Sequence, residues 1–87
     1  MKELTLFYLE ECPHCKRARA YMDELRAEVP AYADIPVRMI EERAEKEIAD
    51  RYDYYYVPCY FSGEEKLAEG RVDKNTVREI FERFLSD

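Results

Sequence analysis

Two cysteines stand three residues apart in the stretch Cys12-Pro13-His14-Cys15. A pair at this spacing can form, break and pass on a disulfide, or it can give two thiolate ligands to a metal ion. A third cysteine, Cys59, lies far away in the sequence. No other stretch carries so specific a chemistry, and the elements that position the pair decide between the two uses.

The pair is predicted to lie where a first strand ends and a first helix begins. Residues 4–9 are apolar or β-favouring on both faces, as in a central strand of an α/β sheet. Pro13 suits the first helical position, where its missing N–H costs nothing, and Pro30 ends the helix. Between the two prolines, four apolar residues recur at helical spacing: Ala18, Met22, Leu25 and Val29.

The rest of the chain predicts one α/β domain over residues 1–87, with the element order β-α-β-α-β-β-α. Asp73 can cap the last helix, and Val72 and Val77 stand at the positions of a hydrophobic staple. The pattern predicts four elements before that helix: a strand over residues 35–42, a short helix over 41–52, and strands over 58–62 and 66–69.

Composition and charge exclude several classes of function. The net charge of −6 argues against nucleic acid and against an anionic membrane surface, since both need clustered Lys and Arg. No apolar run approaches the ~20 residues of a membrane-spanning helix. The first residues open directly into a strand pattern without the apolar core of a secretory signal. We therefore expect a cytoplasmic protein. In the cytoplasm, a CxxC pair is more often catalytic or metal-binding than structural. We also expect the protein to act as a monomer.

The predicted helix start gives the two cysteines different roles. With Cys12 at the N-cap, its sulfur can accept hydrogen bonds from the free amides of His14 and Cys15, and the helix dipole favours the thiolate. Cysteines so placed have pKa values lowered from about 8.5 to about 3.5–7.5. A protonated His14 would assist this shift, whereas Glu10 and Glu11 would oppose it. Cys12 is then the nucleophile that attacks a substrate disulfide, and Cys15 resolves the mixed disulfide.

A metal site and a third redox cysteine are the alternatives to this assignment. A structural zinc site normally needs four ligands, whereas the sequence offers one CxxC, His14 inside it and Cys59. Cys59 is interpreted as a small buried core residue, with a redox role only if its side chain faces Cys12. Three basic residues are interpreted as the solvated face of the first helix that could also attract an anionic substrate: Lys16, Arg17 and Arg19.

The chain resembles a glutaredoxin, within the thioredoxin fold, over essentially its whole length. The resemblance implies a four-stranded mixed sheet flanked by three helices, and thiol-disulfide exchange at the cysteine pair. It rests on four stretches: Leu4-Thr5-Leu6-Phe7-Tyr8, Cys12-Pro13-His14-Cys15-Lys16-Arg17-Ala18, Val57-Pro58, and Glu69-Gly70 before the capped last helix.

The resemblance also implies a substrate platform opposite the cysteine pair. By this resemblance, Pro58 is expected to be cis and to lie against Cys12 and Cys15. Val57 is expected to offer its backbone to the substrate. Three tyrosines precede this dipeptide: Tyr54, Tyr55 and Tyr56. One or two of them are expected to pack in the core or at its rim and one to line the groove, with Tyr56 as the candidate named for the site.

The resemblance implies only part of a glutathione site. Asp73 would hold the amino group of glutathione, while Arg71 and the neighbouring helix N-terminus would hold a carboxylate. Many glutaredoxins have Lys where this chain has Leu9, and their paired glycines appear here as Gly70 alone.

The sequence therefore predicts a glutaredoxin-like thiol-disulfide oxidoreductase that works through a reversible Cys12–Cys15 disulfide. Its expected substrates are protein disulfides or glutathione mixed disulfides, with electrons from glutathione or a thioredoxin-reductase-type flavoprotein. No bound cofactor is expected, and glutathione would be a co-substrate. Two alternatives stay open, namely an iron–sulfur carrier in which two chains share a cluster through Cys12 and glutathione, and a non-catalytic zinc-binding module.

Overall fold

A computed structural model describes residues 3–86 and shows a mixed four-stranded sheet with helices on both faces. The strand order is β2-β1-β3-β4, with β1 parallel to β2 and antiparallel to β3, and β3 antiparallel to β4. The elements of the described chain are β1 (Leu4–Tyr8), α1 (Pro13–Glu28), α2 (Pro30–Ala33), β2 (Val37–Glu41), α3 (Lys46–Ala49), β3 (Cys59–Ser62), β4 (Glu65–Glu69) and α4 (Lys74–Ser86).

The predicted α/β class and strand sequence are confirmed, but the prediction of three helices is wrong because α2 is a fourth. Val29 leaves the helical region at φ −125° and ψ 105°, as expected before a proline. Pro30 then does more than end α1, since its fixed φ suits the first position of the short helix α2.

The short helix predicted over residues 41–52 forms only as α3. Glu41 stays in β2, where its carboxylate accepts hydrogen bonds from the amides of Arg43 and Ala44 and so holds a turn before the helix. The third strand begins at Cys59, one residue later than predicted. Pro58 has no N–H for a strand ladder.

The sheet separates two apolar cores. Residues Leu4 to Phe7 of β1 are buried, and alternate side chains point to opposite faces. Leu4 and Leu6 face the larger core with α1, α2 and α4. Phe7 faces a smaller core on the α3 side with four other buried residues: Ile40, Ala49, Cys59 and Phe61.

The last helix is capped as predicted. Asp73 Oδ1 accepts a hydrogen bond from the Thr76 amide at 2.8 Å, which satisfies one of the free N–H groups at the start of α4. Val72 and Val77 are both buried in the larger core, in agreement with a hydrophobic staple. Within residues 3–86, no helix is long and apolar enough to cross a membrane.

The sheet topology brings two loops to one edge. Phe7 of β1 pairs with Cys59 of β3 in antiparallel register. The end of β1 therefore lies beside the start of β3. The loop that leads to Cys12 and the loop that ends at Pro58 meet at this edge.

Candidate active site

The first helix positions the cysteine pair. α1 begins at Pro13, and Cys12 is its N-cap with φ −73° and ψ 120°. The Cys12 amide donates to the Leu9 carbonyl at 3.1 Å, and the Cys12 carbonyl accepts from the Lys16 amide at 3.0 Å. Both thiols are free, with Cys12 partly exposed and Cys15 completely buried. An incoming disulfide can therefore reach Cys12 but not Cys15.

The environment of Cys12 favours its thiolate. Partial burial raises the pKa of the Cys12 thiol, but the Cys15 side chain and the backbone amides of Cys15 and His14 outweigh it, so the pKa lies below its ordinary value. The amides approach the sulfur without completing a cap hydrogen bond to the thiol. Their dipoles act together with the positive end of α1. The direction of the shift agrees with the sequence prediction.

The net shift is the opposite at Cys15, where burial raises the pKa of the thiol to about 12. The Leu9 backbone and the charge of Arg19 act against this rise, whereas the Cys12 side chain adds to it. The interaction between the two side chains lowers the pKa of Cys12 and raises the pKa of Cys15. Cys12 therefore forms a thiolate more readily than Cys15 does.

Arg19 is a site residue that the sequence analysis missed, because it was placed on the solvated face of α1. The structure leaves Lys16 and Arg17 exposed but half-buries Arg19, with its guanidinium carbon 5.0 Å from the centroid of the Tyr8 ring. Its charge lowers the pKa of Cys15. The spacing from Cys15 to Arg19 is i to i+4, which places both on one side of a helix and could have indicated this.

His14 acts on Cys12 through its backbone amide. Its imidazole is exposed, and Nδ1 lies 3.2 Å from Nη1 of Arg17. A guanidinium group can only donate, so this contact requires Nδ1 to be an acceptor, as in the neutral ring.

The structure gives the conformation of the residues in the predicted substrate platform. The Val57–Pro58 peptide bond is cis, as the resemblance implied. Pro58 is buried, and its carbonyl accepts a hydrogen bond from the Gly70 amide at 2.8 Å. Gly70 has φ +87°, and a Cβ at this position would lie 3.8 Å from the Tyr56 Cβ. The structure thus brings together Tyr56, Pro58 and Gly70.

Glu69 anchors the loop before Pro58, which no pattern in the sequence indicated. Its Oε2 accepts hydrogen bonds from the amides of Tyr55 and Tyr56, the latter at 2.9 Å. Its Oε1 accepts from Lys66 Nζ at 2.7 Å, and the same ammonium donates to the Asp53 carbonyl at 3.2 Å. The Lys66 hydrogen bond is the main reason that the pKa of Glu69 falls to about 2. The carboxylate is therefore ionised at neutral pH.

Glu41 anchors the loop before Cys12 in the same way. Its Oε2 accepts a hydrogen bond from the Glu10 amide at 3.1 Å, and Oε1 accepts from the amides of Arg43 and Ala44 at 2.7 and 3.0 Å. The Glu10 amide is the first cause of the lowered pKa of Glu41. Two carboxylates at the sheet edge thus hold the two loops that form the site.

Asp73 and Arg71 are two of the residues predicted to bind glutathione. Asp73 Oδ1 already accepts from both the amide and the hydroxyl of Thr76, at 2.8 and 2.9 Å. Arg71 is exposed and makes no hydrogen bond or ion pair within residues 3–86. No contact in the described chain links either side chain to the cysteine pair.

Cys59 lies away from the pair. It is completely buried in the smaller core with Phe7 and Phe61, on the face of the sheet opposite α1. Burial raises the pKa of the Cys59 thiol to about 12. Its side chain does not face Cys12, so the interpretation as a core residue holds in the structure.

The described residues also bear on the metal alternative. Within residues 3–86, no group of three or more His, Cys, Asp or Glu side chains is placed to hold a metal ion. Cys59 lies in the smaller core, which contains neither Cys12 nor Cys15.

Comparison with known proteins adds a family and a fold. A sequence model of the glutaredoxin family matches residues 4–67. This range includes the cysteine pair and Pro58 but ends before Gly70, Arg71 and Asp73. No curated protein matches the chain in sequence.

Two solved structures are similar to this chain. The germline-specific thioredoxin Deadhead (Thioredoxin-1) from Drosophila melanogaster is 19% identical with a TM-score of 0.69, over 94% of this chain and 79% of that one. A malarial protein is 16% identical with a TM-score of 0.70, over 98% of both chains. At these identities the likeness shows the fold alone, and it confirms the predicted thioredoxin fold.

Proposed function

Because the chain belongs to the glutaredoxin family, we propose that it is a thiol-disulfide oxidoreductase that works by dithiol exchange. The observation that carries the proposal is the asymmetry of the cysteine pair. Cys12 is accessible and its pKa is lowered, whereas Cys15 is buried and its pKa is raised to about 12. A nucleophile needs an accessible thiol of lowered pKa, and a resolving thiol needs to lie next to it.

The exchange proceeds in two steps. The Cys12 thiolate attacks one sulfur of the substrate disulfide, forming a mixed disulfide and releasing the other sulfur as a thiolate that takes up a proton. Cys15 then loses its proton and attacks Cys12 Sγ, which releases the second substrate thiol and leaves a Cys12–Cys15 disulfide. The substrate gains two electrons, and an external thiol donor later returns them to the pair.

Nearby residues support each step. The positive charge of Arg19 stabilises the Cys15 thiolate that must form in the second step. The backbone N–H and C=O of Val57 make no hydrogen bond within residues 3–86, so both are open to the backbone of a bound substrate. The cis bond to Pro58 and the Glu69 contacts fix the loop that presents them.

The substrates in this proposal are protein disulfides or glutathione mixed disulfides, and the protein needs no bound cofactor. Electrons come from glutathione or from a thioredoxin-reductase-type flavoprotein. We place the reaction in the cytoplasm, where such donors keep thiols reduced, and expect a monomer to suffice.

Reduction of a protein disulfide by the wild type, Cys12→Ser and Cys15→Ser tests the proposal. Each assay is run with glutathione and its reductase, and separately with thioredoxin reductase. We expect turnover with one donor system, loss of all turnover in Cys12→Ser, and a trapped mixed disulfide in Cys15→Ser, seen by mass spectrometry. Turnover that survives Cys12→Ser would overturn the proposal. A visible spectrum and metal analysis of freshly purified protein test the iron–sulfur and zinc alternatives.

A further inference from the structure

Two exposed tyrosines adjoin the substrate platform. Tyr55 and Tyr56 are 83% and 70% exposed, and they directly precede Val57 and cis-Pro58. Within residues 3–86, one other large apolar side chain is exposed: Leu85, which is 46% exposed and lies near the end of α4. Neighbouring exposed aromatic side chains mark contact surfaces. Tyrosine gives a large contact area with few rotatable bonds.

The backbone of this aromatic pair is fixed. Both amides donate to Glu69 Oε2, and the Glu69 carboxylate is held in turn by Lys66. The two rings therefore extend into solvent from an anchored loop. A surface that is ordered before binding loses less conformational entropy when a partner arrives.

The same contacts reduce what the site offers to a small anionic ligand. The Tyr55 and Tyr56 amides already donate to Glu69 Oε2. These two amides are therefore not free to bind a glutathione carboxylate.

Exposed carboxylates lie in both loops of the site. Glu10 and Glu11 precede Cys12 and are exposed, and the exposed Asp53 lies in the loop before Pro58. None of the three carboxylates accepts a hydrogen bond within residues 3–86. The chain as a whole carries a net charge of −6. These carboxylates complement a basic side chain on the partner.

We infer that Tyr55 and Tyr56 dock the polypeptide around a substrate disulfide, with a bulky apolar residue beside the reacting cysteine and a basic residue nearby. The preferred substrate class is then a polypeptide disulfide rather than glutathione disulfide. This inference rests on the proposed exchange at Cys12, and it adds the recognition that brings the disulfide to that thiol.

Three substrates and four variants test the inference. The substrates are a basic disulfide peptide with Leu beside each cysteine, the same peptide with Gly there, and glutathione disulfide. In the wild type we expect kcat/KM for the Leu peptide to exceed that for the Gly peptide by about tenfold, the size of effect typical of an aromatic contact. Tyr55→Ala should remove most of this preference. Leu85→Ala, which deletes an exposed apolar side chain far from the platform, should keep it.

Two results would overturn the inference. One is an unchanged Leu-over-Gly ratio in Tyr55→Ala, given that circular dichroism shows the variant folded. The other is a larger loss of kcat/KM from Arg71→Ala than from Tyr55→Ala, which would point to an anionic substrate held at the start of α4. Cys12→Ser distinguishes a failure of the exchange mechanism from a failure of the docking inference. Activity that survives Cys12→Ser would refute the exchange mechanism. Activity that depends on Cys12 but lacks the Leu-over-Gly preference would refute the docking inference alone.

Discussion

Cys15 and Cys59 are both completely buried, and burial raises the pKa of each thiol to about 12. Cys15 lies in the first turn of α1, and its side chain lowers the pKa of Cys12, whereas Cys59 lies on the opposite face of the sheet beside Phe7 and Phe61. Burial and acidity therefore do not distinguish a resolving cysteine from a core cysteine. What distinguishes Cys15 is a neighbouring thiol of lowered pKa at a helix N-terminus.

The largest difference between the two cysteines should appear in turnover. Cys15→Ser removes the resolving thiol, and we expect the reduction of a protein disulfide to fall by about a hundredfold or more. Cys59→Ser removes a thiol that does not face the site, and kcat/KM should stay within about twofold of the wild type. A steady-state assay on both variants measures this. Equal losses in the two variants would show that the sheet does not separate their roles.

Cys15 and Cys59 should have the same effect on how the stability of the protein depends on pH. In the unfolded chain a thiol ionises near pH 8.5, whereas in the folded protein both stay protonated to about pH 12. Between these values the folded state binds more protons, so stability falls as pH rises, by about 1 kcal/mol per pH unit for each thiol. Denaturant unfolding from pH 8 to 10 should give a shallower decline for Cys59→Ala, and also for Cys15→Ala. An unchanged slope in Cys59→Ala would contradict the raised pKa.

Substitution of Arg19 should have the smallest effect of these changes, and the effect should be confined to the reaction of Cys15. Arg19→Met keeps much of the packing over Tyr8 but removes the charge that lowers the pKa of Cys15. We expect resolution of the mixed disulfide to slow by about threefold, with the pH dependence of that step shifted upward and with rescue by Arg19→Lys. Stopped-flow measurement of the second step checks this. Arg17→Met, which alters an exposed contact with His14, is the matched control and should leave the step unchanged.

The sequence predicted those parts of the site that depend on neighbouring residues. The strand before Cys12, the helix start at Pro13 and the cap at Asp73 all follow from residue types within a few positions. The cis bond at Pro58 came from the family resemblance, since no local pattern requires it. The fold class followed because these local elements agree with one topology.

The parts that escaped prediction depend on pairing across the sheet. Glu41 reaches the Glu10 amide because β2 pairs in parallel register with β1, where Tyr8 stands opposite Glu41. Glu69 stands opposite Cys59 on β4, and this register brings its carboxylate to the loop before Pro58. A sequence pattern does not fix a strand register, so carboxylates that hold loops look like ordinary surface charges.

The asymmetry between Cys12 and Cys15 is the central claim, and pH-dependent alkylation tests it most directly. The fully reduced native protein is treated briefly with iodoacetamide across a pH series, and mass spectrometry locates the label on each cysteine. Cys12 should be labelled first, with a midpoint below the ordinary thiol value of about 8.5, while Cys15 and Cys59 stay unlabelled through mildly alkaline pH. A Cys12 midpoint at or above that value, or equal labelling of Cys12 and Cys15, would contradict the account.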